Sequence, residues 1–397
     1  VKHASLGYLK SDGEPESGDI RFLKRDWATT LWEYRKPTNH PPVSAASRIS
    51  QTIWRNSTDA EGHEFNELAV RAPTLAAGLL SIFAIGVLVR RWGFAIGGIA
   101  AAFFLAIHPW HMRYGTEARA YSFAVLWTIL GCLWLTYALS DERGRWRFWL
   151  LFGLNQLLLT WSLPNGFYYA TGFVLAAAVV AFYQWPKRDD RIAALWRLIA
   201  VNVMAAMAFF PLFVPNLLQA LRWGEINDHA MLTMARFKDT LCQLAFGMNI
   251  AQPGGVEGEG IPSYAREVAT TPWILIPTLA LLLIGLLVGV IRLAMARPGA
   301  VAILGSIVIA ATVYLTVTVT AGHFFYPRYI IYLIVPFSIL FGIGLAGFSR
   351  ALTPKPTASA LVGIAVLSLY AVATRAPRDL LFNRPYAPFR DVAEHLE

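Results

Sequence analysis

Residues 72–89 read APTLAAGLLSIFAIGVLV and stop at Arg90-Arg91. A bilayer's hydrocarbon core is about 30 Å thick, and about 20 consecutive apolar residues are needed to cross it as a helix. This uncharged run, closed by two arginines, has that length, and the chain repeats it. Further apolar runs cover Gly93–Ile107, Tyr121–Leu139, Phe148–Leu163, Phe167–Tyr183, Leu195–Pro215, Trp273–Ile291, Ala300–Ala321, Tyr329–Phe348 and Ala358–Ala373. The reading is an all-α polytopic membrane protein with about ten transmembrane helices.

Composition agrees. Of 397 residues, 56% are hydrophobic and 15% charged, against about 25% charged in an ordinary soluble domain; mean hydropathy is +0.47. The net charge of +9 fits basic cytoplasmic loops, with part of the surplus free to meet a phosphate-bearing lipid. No basic run interleaved with aromatics has the character of a nucleic-acid groove, so no nucleic-acid partner is expected. Cys132 falls in a span and Cys242 in a long loop, so a disulfide between them is not expected. No signal peptide is visible before the polar start at Val1, and Glu397 falls in what reads as the first turns of a helix. Both ends read as cuts in a longer protein.

The connectors alternate in charge. Those after the odd-numbered spans hold Arg90, Arg91, Arg143, Arg145, Arg147, Lys187, Arg188, Arg191, Arg197, Arg292, Arg297, Arg350 and Lys355. The intervening loops, although longer, hold only Arg113, Arg119, Arg222, Arg236, Lys238, Arg266 and Arg328. By the positive-inside rule the first set is cytoplasmic. The expected organisation is then a first outer loop over 1–71, a transmembrane domain over 72–374 with outer loops at 108–120 and 216–271, and the start of a further outer segment over 375–397. The expected location is a bacterial inner membrane, with the loops of interest facing the periplasm.

The densest polar cluster is HPWHMRYGTEARAY, residues 108–121. It gathers His108, His111, Arg113, Tyr114, Glu117, Arg119 and Tyr121 at a membrane boundary, where charges are costly unless paired or hydrated and are functional candidates by default. A helix through this stretch would put Arg113, Glu117 and Tyr121 on one face at i, i+4 spacing, with Arg119 pointing elsewhere. The bland alternative is a solvated loop with headgroup anchors. Asn39-His40-Pro41-Pro42 would hold His40 on an extended backbone over the membrane surface; a turn histidine is the plainer reading. Arg71, just before a span, reads first as a snorkelling helix-end arginine. The stretch HFFYPRYI, residues 323–330, puts Arg328 on the outer face against the positive-inside bias, which favours a phosphate ligand. Soluble-enzyme signatures such as a Gly-rich phosphate loop, HExxH or a nucleophile elbow are missing. His108 and His111 lack the further ligands of a structural zinc site.

In order, an outer loop with His-Pro-Pro, an Arg-x-Pro span entrance (Arg71-Ala72-Pro73), the pattern HPxHxRYxxEARxY and a late Arg-Tyr (Arg328-Tyr329) resemble the glycosyltransferase C superfamily. The resemblance is to the branch of protein O-mannosyltransferases and the lipid A aminoarabinose transferase, and most of all to bacterial dolichyl-phosphate-mannose mannosyltransferase-like proteins. It is strong over about residues 30–140 and rests elsewhere on hydropathy and Arg328-Tyr329. It implies a transferase that moves a sugar from a polyprenyl-phosphate-linked donor to a lipid, glycan or protein acceptor. By position, Glu117 and His40 would be catalytic, with Glu117 helping to organise the site or a divalent cation (Mg or Mn). Arg119, Arg328 and Tyr121 would hold the donor phosphate, with His108, His111, Arg113, Tyr114 and Arg71 as further site residues. The family's principal acid, an Asp followed by Glu early in the first outer loop, has no match here. It is expected upstream of Val1 together with one more span, and Asp12, Asp19 and Asp26 are poor substitutes by context. A transporter or lipid flippase is the rival reading, to which only Pro211, Pro215 and Asn155-Gln156 speak; a non-catalytic assembly partner is a third.

Overall fold

The computed structural model describes residues 6–7, 23–24, 26–32, 40–60, 66–140, 146–184, 188–213, 232–247, 272–322 and 325–374. Asp12, Asp19, Asn39, Pro215, the glycines of 254–260 and the segment 375–397 lie outside the described residues, as do 214–231 and 248–271 of the long loop. Apart from a two-residue antiparallel pairing of β1 (Leu6–Gly7) with β2 (Leu23–Lys24), the described chain is helical.

Three helices precede or open the membrane region. They are α1 (Trp27–Trp32), α2 (Pro41–Thr58) and α3 (Glu67–Arg91). Asn66 starts α3 by accepting the Ala69 amide at 2.9 Å, which satisfies one of the donors a helix N-terminus leaves open. Next come α4 (Ala95–Ile107), α5 (Pro109–Thr116), α6 (Tyr121–Ser140), α7 (Trp146–Ser162), α8 (Gly166–Gln184) and α9 (Arg188–Phe213). After α10 (Met234–Phe246) follow α11 (Pro272–Ala296), α12 (Pro298–Thr320), a 3-10 turn over Pro327–Leu333, α13 (Ile334–Leu352) and α14 (Pro356–Ala373).

All ten expected runs are helical through most of their described residues. Among the described residues eight helices are long and apolar enough to cross a membrane. The other two runs deviate for identifiable reasons. The helix α7 has 17 residues, about 25 Å at 1.5 Å per residue. Helix α4 meets α5 at a 61° bend, because Pro109 pushes His108 out of helical angles (φ −70°, ψ 124°).

The outward faces of these helices are apolar. Phe83 is 72% exposed, Met207 71% and Leu287 62%, in company with many other leucines, isoleucines and valines. A water-soluble monomer does not show apolar surface on this scale, so the chain is a multi-pass membrane protein. Helix α2 is inverted in the same sense: Ser47, Arg48, Gln51 and Arg55 are buried while Ile49 and Ile53 are exposed. Its polar side faces the protein.

Helices pack in the series α11 on α13, α13 on α4, α4 on α3, α3 on α6, α6 on α7 and α7 on α9, with α12 on α8. Lipid tails give no hydrophobic drive between spans, so close approach over small residues matters. At the α11–α13 crossing a Cβ on Gly344 would overlap the Gly285 carbonyl, and one on Gly289 the Leu340 carbonyl. Buried amides add cross-links: Asn155 donates to the Trp127 carbonyl and Gln156 to that of Ala170, both at 2.9 Å. Asn155-Gln156 thus ties α7 to α6 and α8 as part of the scaffold. Pro211 is accommodated inside α9, where Trp32 Nε1 donates to its carbonyl at 3.3 Å.

Candidate active site at one end of the bundle

Successive spans run in opposite directions, so the start of α6, the α7–α8 turn, the last turns of α12 and the 3-10 turn share one end of the bundle. A cavity of about 180 Å³ opens there, lined by His40, Arg119, Tyr121, Leu163, Pro164, Asn165, Tyr314, Arg328 and Tyr329. Four residues singled out from the sequence, more than 200 positions apart at the extremes, therefore meet around one space.

Each is positioned by local structure. His40 is the residue before α2, and Pro41-Pro42 occupy the first helical positions, where a missing amide costs little. Its ring is buried and meets that of Tyr121 edge-on at 6.0 Å. The expected single helix through 113–121 does not form. Helix α5 stops at Thr116, whose hydroxyl turns back to the Arg113 carbonyl at 2.9 Å. Glu117 takes extended angles (φ −80°, ψ 132°) and Tyr121 begins α6. The Arg113–Glu117 pair survives at 3.1 Å. The break turns Arg119 toward the same cavity as Tyr121, where a continuous helix would have pointed it away.

Arg328 is the second residue of the 3-10 turn. Its guanidinium lies over Tyr326 at 4.3 Å and within hydrogen-bonding reach of the Tyr121 hydroxyl, with Tyr114, Tyr329 and Glu117 close enough to act on its charge. Its Nε–H is buried with no hydrogen-bond partner. The turn is held by Asn165, which donates to the Tyr329 carbonyl at 2.7 Å and accepts from the Tyr332 hydroxyl at 3.0 Å. Behind it Tyr332 stacks on Tyr169 at 3.7 Å. Asn165 and Tyr314 line the cavity without a sequence pattern that marks them as site residues. The one sequence sign at Asn165 is that Pro164-Asn165-Gly166 joins two apolar runs.

The remaining candidates stand elsewhere. Tyr114 is buried behind Tyr121, ring centroids 4.8 Å apart. His108 is fully buried and caps α5: its Nδ1 accepts the Trp110 amide at 3.2 Å, so Nε2 carries the proton donated to the Leu244 carbonyl at 2.8 Å. His111 is buried where α5 meets α3 at Gly78. Both histidines are packing elements and do not line the cavity. Arg71 forms an exposed i, i+4 ion pair with Glu67 and is also outside it. Asp26 caps α1, and the Thr29 amide and hydroxyl that bind its carboxylate hold it below the usual carboxylate range.

Among the described residues no three His, Cys, Asp or Glu side chains come together. Glu117 is engaged with Arg113 and shares its surroundings with Arg328. Two guanidiniums beside a single carboxylate do not fit a divalent cation, which takes several oxygen ligands; they fit an anion.

No protein-family model and no curated protein matches the chain. Among solved structures it is similar to the crystal structure of ArnT from Cupriavidus metallidurans in the apo state, at 14% identity and a TM-score of 0.46. The likeness covers 89% of this chain and 66% of the length of that one.

Proposed function

We propose that the chain belongs to a membrane glycosyltransferase that moves a sugar from a polyprenyl-phosphate donor to an acceptor hydroxyl or amine at the outer face of the membrane. The observation that carries this reading is the meeting of Arg119 and Arg328 with His40 and Tyr121 around one cavity at the end of the bundle away from the basic connectors. The sequence resemblance supports the same class of reaction.

In the reaction, the acceptor atom forms a bond to the anomeric carbon while the bond from that carbon to the phosphate oxygen breaks. The acceptor's proton passes to a base, and the lipid phosphate leaves with the bonding pair. Negative charge grows on that phosphate, and donors already aimed at it stabilise the transition state. Arg119 and Arg328 fill this role, each able to offer a planar set of N–H groups to phosphate oxygens. Glu117 pairs with Arg113 and tempers the positive field around Arg328. His40, followed by two prolines at the start of α2, lines the same cavity and is the histidine available to the sugar. A donor with an apolar tail and a charged head suits a cavity at the membrane boundary.

The test uses membranes containing the intact protein and a polyprenyl-phosphate-linked sugar. Arg119→Ala and Glu117→Gln each lower transfer by about a hundredfold while the protein still accumulates. Wild-type rates in both variants remove these residues from the reaction. Movement of the lipid-linked sugar across proteoliposomes without covalent transfer points to a flippase instead.

A further inference from the structure

A second cavity, of about 530 Å³, lies at the opposite ends of the same helices, between the α3–α4 turn, the end of α6, the end of α8 and the start of α12. Tyr121 and Ser140 bound α6 and line one cavity each; 20 helical residues span about 30 Å, the thickness of the hydrocarbon layer. The two spaces therefore face opposite sides of the membrane.

The walls of this cavity are apolar, formed by Leu139, Val179, Val180, Ala302 and Ile303. Among the described residues its polar rim carries two arginines and no acidic residue. Arg91 donates to the Ser140 hydroxyl at 3.2 Å and lies over the Tyr137 ring at 5.0 Å. Arg297 donates from Nε to the Trp92 carbonyl at 3.1 Å, beside the α3–α4 turn that Gly93 makes with a φ of +94°. Both guanidiniums are thus held by neutral partners that fix them without cancelling their charge. The positive end of the α12 dipole opens into the same space at Pro298-Gly299.

We propose that this cavity binds an anionic glycerophospholipid of the facing leaflet, its phosphate between Arg91 and Arg297 and an acyl chain along the Val179–Ile303 wall. Basic pockets between spans on the side rich in Lys and Arg suit such headgroups, and the volume lies within the range of small-molecule sites. The inference does not depend on the reaction proposed at the other end.

The intact protein, stripped of lipid in detergent, is titrated by native mass spectrometry with phosphatidylglycerol, with phosphatidylcholine of the same chains and with inorganic phosphate. Phosphatidylglycerol binds in preference to phosphatidylcholine, and inorganic phosphate does not displace it. R91Q/R297Q raises the apparent Kd for phosphatidylglycerol about tenfold or more. R350Q/K355Q, an equal loss of charge at the same end but outside the cavity, leaves it unchanged. A302F narrows the apolar wall with both arginines intact and also weakens the lipid; it decides the matter if the double arginine variant melts early. Equal affinity in R91Q/R297Q and R350Q/K355Q, or displacement of the lipid by inorganic phosphate alone, overturns the proposal.

Discussion

Arg328 keeps its Nε–H buried without a hydrogen-bond partner, a situation that costs on the order of 1–3 kcal/mol in a folded protein. An anion in the cavity, as the proposed donor phosphate would supply, would relieve that cost. Arg328→Lys retains the charge but loses the planar fork and the Nε donor. The expected outcome is about a tenfold fall in kcat/KM for the lipid donor, against about a hundredfold for Arg328→Ala, read in a transfer assay. Asn165 acts on the same arginine from behind. Asn165→Ala removes both bonds that hold the 3-10 turn, at about 1–3 kcal/mol of stability, whereas Asn165→Asp keeps the acceptor for Tyr332 and loses only the donor to Tyr329. Melting curves should therefore order wild type above Asp above Ala. The contrast between these two residues shows what is legible in a sequence. Arg328 announces itself, because it stands in the connector set that is otherwise poor in basic residues. An asparagine in a three-residue turn does not, since its role appears only when α8, α12 and the 3-10 turn come together.

At the scale of elements, the apolar runs gave the helices almost directly, because a bilayer imposes one length and one backbone solution on each crossing. The interior of the 108–121 stretch was harder. Its residues suit a helix; Pro109 acting on His108 makes the first break, and the second falls after Thr116, where Glu117 turns extended. Those breaks put Arg119 at the cavity. Helix contacts were not legible either, because the sequence gives no direct sign of which glycine faces a neighbour. The structure distinguishes them sharply. Gly344→Ala drives a methyl group into the Gly285 carbonyl at the α11–α13 crossing, while Gly305 and Gly363 have open space around the same position. Gly344→Ala should lower stability by about 1–3 kcal/mol, and Gly305→Ala and Gly363→Ala should be neutral or mildly stabilising, as alanine is the better helix former. Thermal unfolding in one detergent, measured for all three, separates packing from propensity.

Over the whole molecule the polar chemistry is divided by end. Arg91, Arg188, Arg297, Arg350 and Lys355 stand at the ends of α3, α9, α12, α13 and α14 that point one way, and His40, Arg119, Asn165 and Arg328 gather at the other. The positive-inside rule assigns the first end to the cytoplasm, and the proposed donor chemistry needs the second end outside it. The two requirements are independent, so a single labelling experiment can set them against each other. In a Cys242→Ser background, with Cys132 buried, Ala321→Cys places a thiol at the exposed end of α12 on the cavity side and Lys355→Cys places one on the basic side. A membrane-impermeant maleimide applied to intact cells should label the first and reach the second only after the membrane is opened. The reverse pattern would set the arginine-lined cavity in the cytoplasm, where nucleotide sugars are at hand and a lipid carrier is no longer the natural donor.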